Sequence, residues 1–350
     1  MSASRNEPVV TVGLMGSADA ARWDRFVLAC PQATFFHRAG WQRVIEQAFG
    51  HPTWFFYAEI DGEIAAVLPL AQIRSRLFGN TLCSLPFCVY GGIAAHAADG
   101  AAAAALDRAA QTLAVRLRVD HLEYRHRQRR HPDWSGQQRY VAFRKALLAE
   151  PDANLAAIPR KQRAMVRKGI AFGLRSAIDT DIAPFHAAYA DSVHRLGTPV
   201  FAPAYFRLLR EEFGADCDVL TVRHGAGVVC GVLSFYFRDQ VLPYYGGGDA
   251  ARALAGNDFM YWELMRRACE RGCRLFDFGR SKLGTGACDF KKNWGFAAEP
   301  LHYEYQLHRA KALADHTPFN PRFQPLIAAW RRLPLSLANR IGPHLVRQLG

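Results

Sequence analysis

The chain repeats itself at long range. A hydrophobic strand, a Gly-containing hairpin and a second strand run through Phe55-Phe-Tyr-Ala-Glu-Ile-Asp-Gly-Glu-Ile-Ala-Ala-Val-Leu-Pro-Leu70. Tyr90-Gly91-Gly92, an Ala-rich helix and a closing strand, Val119 to Arg125, come next. The same order recurs as Asp218 to Val222, a turn at His224-Gly-Ala-Gly227, and Val228 to Phe237. Tyr245-Gly246-Gly247, a helix from Asp258 to Arg271 and a strand from Arg274 to Arg280 complete the second round. A period this long marks a duplicated domain and not a solenoid unit. The 350 residues suffice for two domains with a core each. Several strands alternate poorly, which implies a mixed α/β sheet covered on both faces. The expected class is therefore α/β, with domains at 1–150 and 151–315 and a basic tail at 316–350.

Charge bears on partners more than on fold. The net charge is +13 and the pI near 9.6, which favours an anionic partner: RNA, a nucleotide- or pyrophosphate-linked substrate, or an acidic membrane surface. The cations cluster. Arg160-Lys-Gln-Arg-Ala-Met-Val-Arg-Lys168 carries five and no acid, and Arg160, Arg163 and Arg167 share one helical face. Five like charges so close repel one another, a cost that a bound anion would relieve. The last thirty residues carry Arg322, Arg331, Arg332, Arg340 and Arg347 with no acid. They are expected either to pack on the body of the protein or to form an amphipathic surface anchor.

The eight cysteines lack the spacing of a zinc knuckle or redox pair, so buried free thiols are expected. Arginines among His121, His126 and His131 argue against a metal there. No apolar run is long enough for a membrane span, and the first twenty residues lack the marks of a secretory signal. A cytoplasmic protein is expected, with peripheral contact at the inner membrane face as a further expectation.

Helices are expected over Ala18–Ala29 (capped by Ser17), Ala39–Ala48, Asp181–Arg195 and Pro203–Phe213, with another opened by Pro151 and interrupted at Pro159. Arg223-His-Gly-Ala-Gly227 superficially resembles a phosphate loop, but it lies between two strands and reads as a hairpin. The stretch Phe276 to Phe296 is the most unusual of the chain. It combines a strand, a glycine-rich loop, the cations Arg280, Lys282, Lys291 and Lys292, and the aromatic side chains Phe290 and Trp294 as flat walls. A lysine held among aromatics can stabilise a phosphate or an oxyanion. Asp277 could orient an amine or accept its proton, or serve a structural role at the strand end.

Phe290-Lys-Lys-Asn-Trp-Gly-Phe296 after Phe276-Asp-Phe-Gly-Arg-Ser281 resembles the closing signature of the FemAB-like transferases. The run Arg160 to Gly169, the segment Val193-His-Arg-Leu-Gly-Thr198 with Tyr205-Phe206, and Phe36-His-Arg-Ala-Gly-Trp41 resemble further family segments in the right order. The closest echo is the branch that accompanies exosortase/PEP-CTERM and exopolysaccharide systems. The resemblance implies two tandem acetyltransferase-like (GNAT) domains. It also implies transfer of an amino acid from aminoacyl-tRNA to an amine on a peptidoglycan precursor, without CoA. By that resemblance Lys291 lies near the reaction centre, with Lys292 as a substitute. Arg195 and Arg43 would hold phosphates, and Tyr244 or Tyr245 would line the pocket. The long helical hairpin of the peptidoglycan enzymes is missing from this sequence, which puts tRNA use in question.

The expected function is N-acyl or aminoacyl transfer to an amine of an anionic cell-envelope precursor, peptidoglycan or exopolysaccharide. No resident cofactor is expected; the co-substrate would be aminoacyl-tRNA or acyl-CoA. Rival readings are an acyl-CoA-dependent N-acetyltransferase of an amino sugar, an RNA-binding protein, and a membrane-surface assembly protein.

Overall fold

The computed structural model describes residues 9–75, 78–248, 253–313 and 320–349. Two compact units emerge. The first takes the chain up to Gln137 and the segment that begins at Leu301; the second takes Gln138–Pro300 and the C-terminal helices.

The first unit runs β1 (Val10–Leu14), α1 (Ala20–Ala29), α2 (Gly40–Phe49), β2 (Thr53–Ile60), β3 (Glu63–Ser75), β4 (Gly79–Cys83), β5 (Ala94–Ala95), α3 (Gly100–Arg116), β6 (His121–His126) and β7 (Ser135–Gln137). The expected cap at Ser17 is not used. Ser17–Asp19 forms a single 3-10 turn, and the Asp19 carboxylate accepts the Gly16 N–H at 2.9 Å. The β2–β3 hairpin turns on Asp61 and Gly62, with φ of 52° and 82°, the left-handed pair that a tight hairpin demands. Ten consecutive residues of β3 are buried, because the strand is covered on both faces. Helix α3 buries Ala102, Leu106, Ala110 and Leu113, spaced to share one face.

The second unit contains β8 (Tyr140–Ala146), α4 (Pro151–Ala157), α5 (Arg160–Ala171), β9 (Arg175–Ile178), α6 (Ala183–Leu196), α7 (Pro203–Phe213), β10 (Cys217–His224), β11 (Gly227–Phe237), β12 (Gln240–Gly247), α8 (Gly256–Glu270), β13 (Leu275–Lys282), α9 (Gly286–Asn293) and β14 (Ala298–Pro300). The chain then adds β15 (His302–Leu307) to the first sheet before α10 (Gln324–Arg332) and α11 (Leu335–Val346) return to the second unit. Prolines at the first turns of α4, α6 and α7 start those helices where a missing N–H costs nothing. The hairpin expected at Arg223–Gly227 is present, closed by the pair His224↔Gly227. The tail packs on α6 through both of its helices.

The two sheets share one strand order. The first reads β1-β2-β3-β4-β6-β15-β7, with β5 beside β3; the second reads β9-β10-β11-β12-β13-β8-β14. The duplication is thus present along the seven-strand path of each sheet, β5 being extra to the first, but the units divide at Gln137/Gln138 and not at residue 150. The sixth strand of the first sheet, β15, comes from outside that unit's main segment, while the sixth strand of the second, β8, lies before residue 150 yet belongs to the second unit. β8 pairs along β13 from Ala146↔Leu275 to Tyr140↔Lys282, and β15 pairs along β6 from His302↔His126 to Leu307↔His121. A linear boundary cannot show this, because ladder pairing is non-local.

The central parallel pair differs between the copies. β4 and β6 pair over Thr81↔His121 to Cys83↔Glu123. The irregular segment 84–93 then follows β6: Ser84 N–H donates to Glu123 O, and Gly91 N–H to Arg125 O. In the second unit β12 and β13 pair only at Gln240↔Leu275 and Val241↔Phe276 among the described residues. Beyond that point β12 keeps to β11 and β13 to β8, so the two central strands part.

Candidate active site

The parting strand β13 is shaped by a bulge. Its register with β8 shifts between Asp277 and Arg280, and Gly279 takes φ 62°. Asp277 is buried. Its Oδ1 accepts the Gly279 N–H at 2.7 Å, and its Oδ2 lies 3.4 Å from Arg144 Nε. Both carboxylate oxygens are therefore engaged in holding the bulge, which favours the structural reading of Asp277 over a proton acceptor.

The glycine-rich stretch is more ordered than its composition implies. Thr285 caps α9, its Oγ1 accepting the Cys288 N–H at 3.3 Å, and Gly286 is already helical. Helix α9 carries Lys291 to the bulge. Lys291 Nζ donates to Phe278 O at 2.7 Å and Arg280 O at 3.2 Å, with the rings of Phe143 and Phe278 at 5.7 and 5.6 Å. Burial lowers its pKa to about 8, with the Asp277 charge working in the opposite direction. An ammonium has three N–H donors, so one remains beyond the two carbonyls. Ser281, next along β13, is buried with its hydroxyl unpartnered among the described residues.

The other expected residues fall into separate groups. The Arg280 guanidinium lies over the Tyr140 ring at 4.6 Å, and Lys292 is exposed on α9. Trp294 belongs to the core and is no ligand wall: it is fully buried, with Nε1 donating to Asp258 Oδ1 at 3.0 Å. Phe290 is half-buried against Tyr261. Tyr245 is buried in a cluster with Tyr189, Phe201 and Phe206, its hydroxyl 2.9 Å from that of Tyr205. Tyr244 is half-buried where the β11–β12 register shifts, against the Phe235 ring. Arg195 pairs with Asp191 at 3.2 Å near the end of α6. On α5, Gln162, Val166 and Gly169 face inward, Arg160 and Arg167 are exposed, and Arg163 donates to Ala156 O at 2.6 Å. Arg43 is exposed on α2 of the first unit.

Lys291, Asp277 and Arg280 thus come together at one bulge. The residues that complete it, Tyr140, Phe143 and Arg144, all belong to β8. The strand is legible in Tyr140-Val-Ala-Phe-Arg-Lys-Ala146, but nothing in its own sequence assigns it to the second sheet. Among the described residues, no group of three or more His, Cys, Asp or Glu converges to hold a metal ion. A phosphate donor group at the start of α8 would fit poorly. A helix N-terminus favours anions, but the first turn of α8 already holds the buried Asp258 carboxylate.

Residues 154–292 match the family described as an acetyltransferase (GNAT) domain. The fold is that of tandem GNAT domains. A crystal structure of FemX aligns over 91% of this chain and 100% of its own, at TM-score 0.67 and 14% identity. The C-terminal domain of a protein named as a lysylphosphatidylglycerol synthetase, from Agrobacterium fabrum, aligns over 83% and 93%, at TM-score 0.56 and 12% identity. A tandem GNAT protein from the clavulanic acid biosynthesis pathway aligns over 85% and 98%, at TM-score 0.53 and 12% identity. No curated protein sequence matches the chain.

Proposed function

We propose that the second unit transfers an acyl or aminoacyl group to an amine on an anionic cell-envelope precursor. The observation that carries this reading is Lys291 at the β13–β8 bulge, with one ammonium N–H beyond the two that the carbonyls of Phe278 and Arg280 take. In this reading the donor lies along β13 beyond its pairing with β12 and presents its carbonyl to that N–H. The amine lone pair attacks the carbonyl carbon, the C–O or C–S bond to the carrier breaks, and the amine proton passes to the departing oxygen or sulfur through solvent. Lys291 stabilises the oxyanion, more strongly for lying in a low-dielectric setting. Asp277 acts as a positioning residue, because it holds the bulge that presents the two carbonyls to the lysine. No covalent enzyme intermediate is required.

The acceptor class follows from charge. Arg160, Arg163, Arg167, Arg195, Arg280 and Lys292 supply cations for the phosphates of a linked precursor, and Tyr244 borders the parting strand. The likeness in fold to FemX and to the synthetase domain, with the FemAB-like segments, supports a peptidoglycan or exopolysaccharide precursor as acceptor. The exosortase/PEP-CTERM setting rests on those segments alone. Asp258 at the start of α8 disfavours the pyrophosphate of CoA there, so an aminoacyl ester is the preferred donor. Acyl-CoA with an amino-sugar acceptor is the rival.

The test is a transfer assay on the full chain with aminoacyl-tRNA or acyl-CoA, and nucleotide- or lipid-linked precursors as acceptors, read by mass spectrometry. Lys291→Met should lower kcat by about a hundredfold or more while leaving KM for the acceptor little changed. Full activity in that variant would remove the lysine from the mechanism. Product from acyl-CoA alone would reverse the donor preference, and no product with any donor would sink the reading.

A further inference from the structure

The C-terminal helices have an inner and an outer face of different character. Inward, α10 and α11 are fixed to the second unit. Trp330 is buried with its carbonyl 3.0 Å from His194 Nε2, Arg331 donates to Leu196 O at 3.1 Å, and Ala338, Gly342 and Val346 are buried on α11. A Cβ on Gly342 would lie 2.9 Å from Val200 N, so the helix sits close. Outward, α11 presents Leu337, Arg340, Ile341 and His344, spaced i, i+3, i+4, i+7 along one face and all exposed. Leu337 is 42% and Ile341 37% exposed. Leu326 on α10 and Leu196 at the end of α6 add two more large apolar side chains, 65% and 67% exposed. Residues 320–349 contain Arg322, Arg331, Arg332, Arg340 and Arg347 and no acid.

Apolar side chains beside arginines, in a segment with no acid, suit one kind of partner. Leucine and isoleucine enter the headgroup–acyl boundary of a bilayer, while arginines pair with lipid phosphates. RNA would be gripped by exposed aromatic side chains, but here Trp330 is buried and Phe323 half-buried. A second copy would bring the same cations, and no acid, against these. We propose that the outward face of α11 docks the protein on an anionic phospholipid surface. This stands independently of the transfer reaction.

The experiment is flotation of the full chain with vesicles of phosphatidylcholine alone or mixed with phosphatidylglycerol, at low and at physiological salt. The expected result is binding to the mixed vesicles only, weakened by salt. Leu337→Ser with Ile341→Ser should weaken it about tenfold or more. Arg340→Gln with Arg347→Gln should weaken it about fivefold per arginine at low salt. Leu337 and Ile341 are exposed, so that double variant should keep the wild-type melting curve. Four outcomes would each overturn the proposal: no binding to mixed vesicles at low salt, equal binding to neutral ones, indifference to both double variants, or a vesicle-free dimer that the Leu337/Ile341 pair abolishes.

Discussion

Glu304 is where the polar core of the first unit converges. Ile93 N–H donates to His126 Nε2 at 3.0 Å, so the His126 proton sits on Nδ1 and is donated to Glu304 Oε2 at 2.9 Å. The backbone N–H groups of Arg130 and His131 donate to Oε1 at 2.9 and 2.6 Å, and His131 Nε2 donates to Asp107 at 3.1 Å. Burial would push the Glu304 carboxyl up, but these donors hold it well below the usual carboxylate range. Burial also works against a charge on His131, yet its ring bond to Asp107 and the Glu304 carboxylate 3.7 Å from Nδ1 outweigh that and raise its pKa to about 9. A histidine raised in the folded state contributes stability that is complete below pH ~6.5 and lost as pH rises through about 9. His131→Gln should therefore cost about 2 kcal/mol at pH 6 and much less near pH 10, measured by urea denaturation at both. An equal cost at the two pH values would show that its charge plays no part. The sequence showed three histidines among arginines; that two of them share a carboxylate from β15 was not legible, because that strand is far along the chain. Lys291 was legible as a residue, but its two carbonyl partners were not.

At the scale of elements, the two copies diverge where their central strands separate. In the first unit the segment 84–93 lies against β6, and it is tightly built. Ser84 Oγ accepts the Arg125 N–H, and Arg125 itself pairs with Glu123 at 2.7 Å and donates to Cys88 O. A Cβ on Gly91 would fall 1.7 Å from Ser84 O, a clash that only backbone movement relieves. Gly91→Ala should cost about 3 kcal/mol or more, whereas Gly100→Ala, at the open start of α3, should be neutral or slightly stabilising. Paired urea midpoints would check this, and comparable midpoints would mean the segment yields easily. The Tyr-Gly-Gly triplets that drew attention to the duplication hold related but unequal stations. The first lies in this segment, and the second forms the end of β12. Helix α9, with Lys291, has no counterpart between β6 and β7. The repeat was readable because hydrophobic strands, hairpins and helices leave local patterns; which copy closes over its strands and which leaves them parted depends on side-chain fit.

At the scale of the whole molecule, each sheet takes its sixth strand from a distant part of the chain. A fragment of residues 1–150 lacks β15, and with it the ladder along β6 and the Glu304 partner of His126. It should show no cooperative thermal unfolding by circular dichroism. Gln137 and Tyr303 are register partners on β7 and β15, so a short hairpin linker from 137 to 301–313 should restore a cooperative transition. Cooperative melting of the bare fragment would show that β15 is dispensable. Composition and local pattern were enough to establish two α/β copies, most helix positions, the hairpins and the cationic segments, since these depend on neighbours within a turn or a strand. The placement of β8 and β15, the bulge that Asp277 and Arg144 hold, and the burial of Trp294 were settled only by folding. Each joins residues far apart in the chain, and their pairing is selected by ladder register and packing that no local pattern encodes.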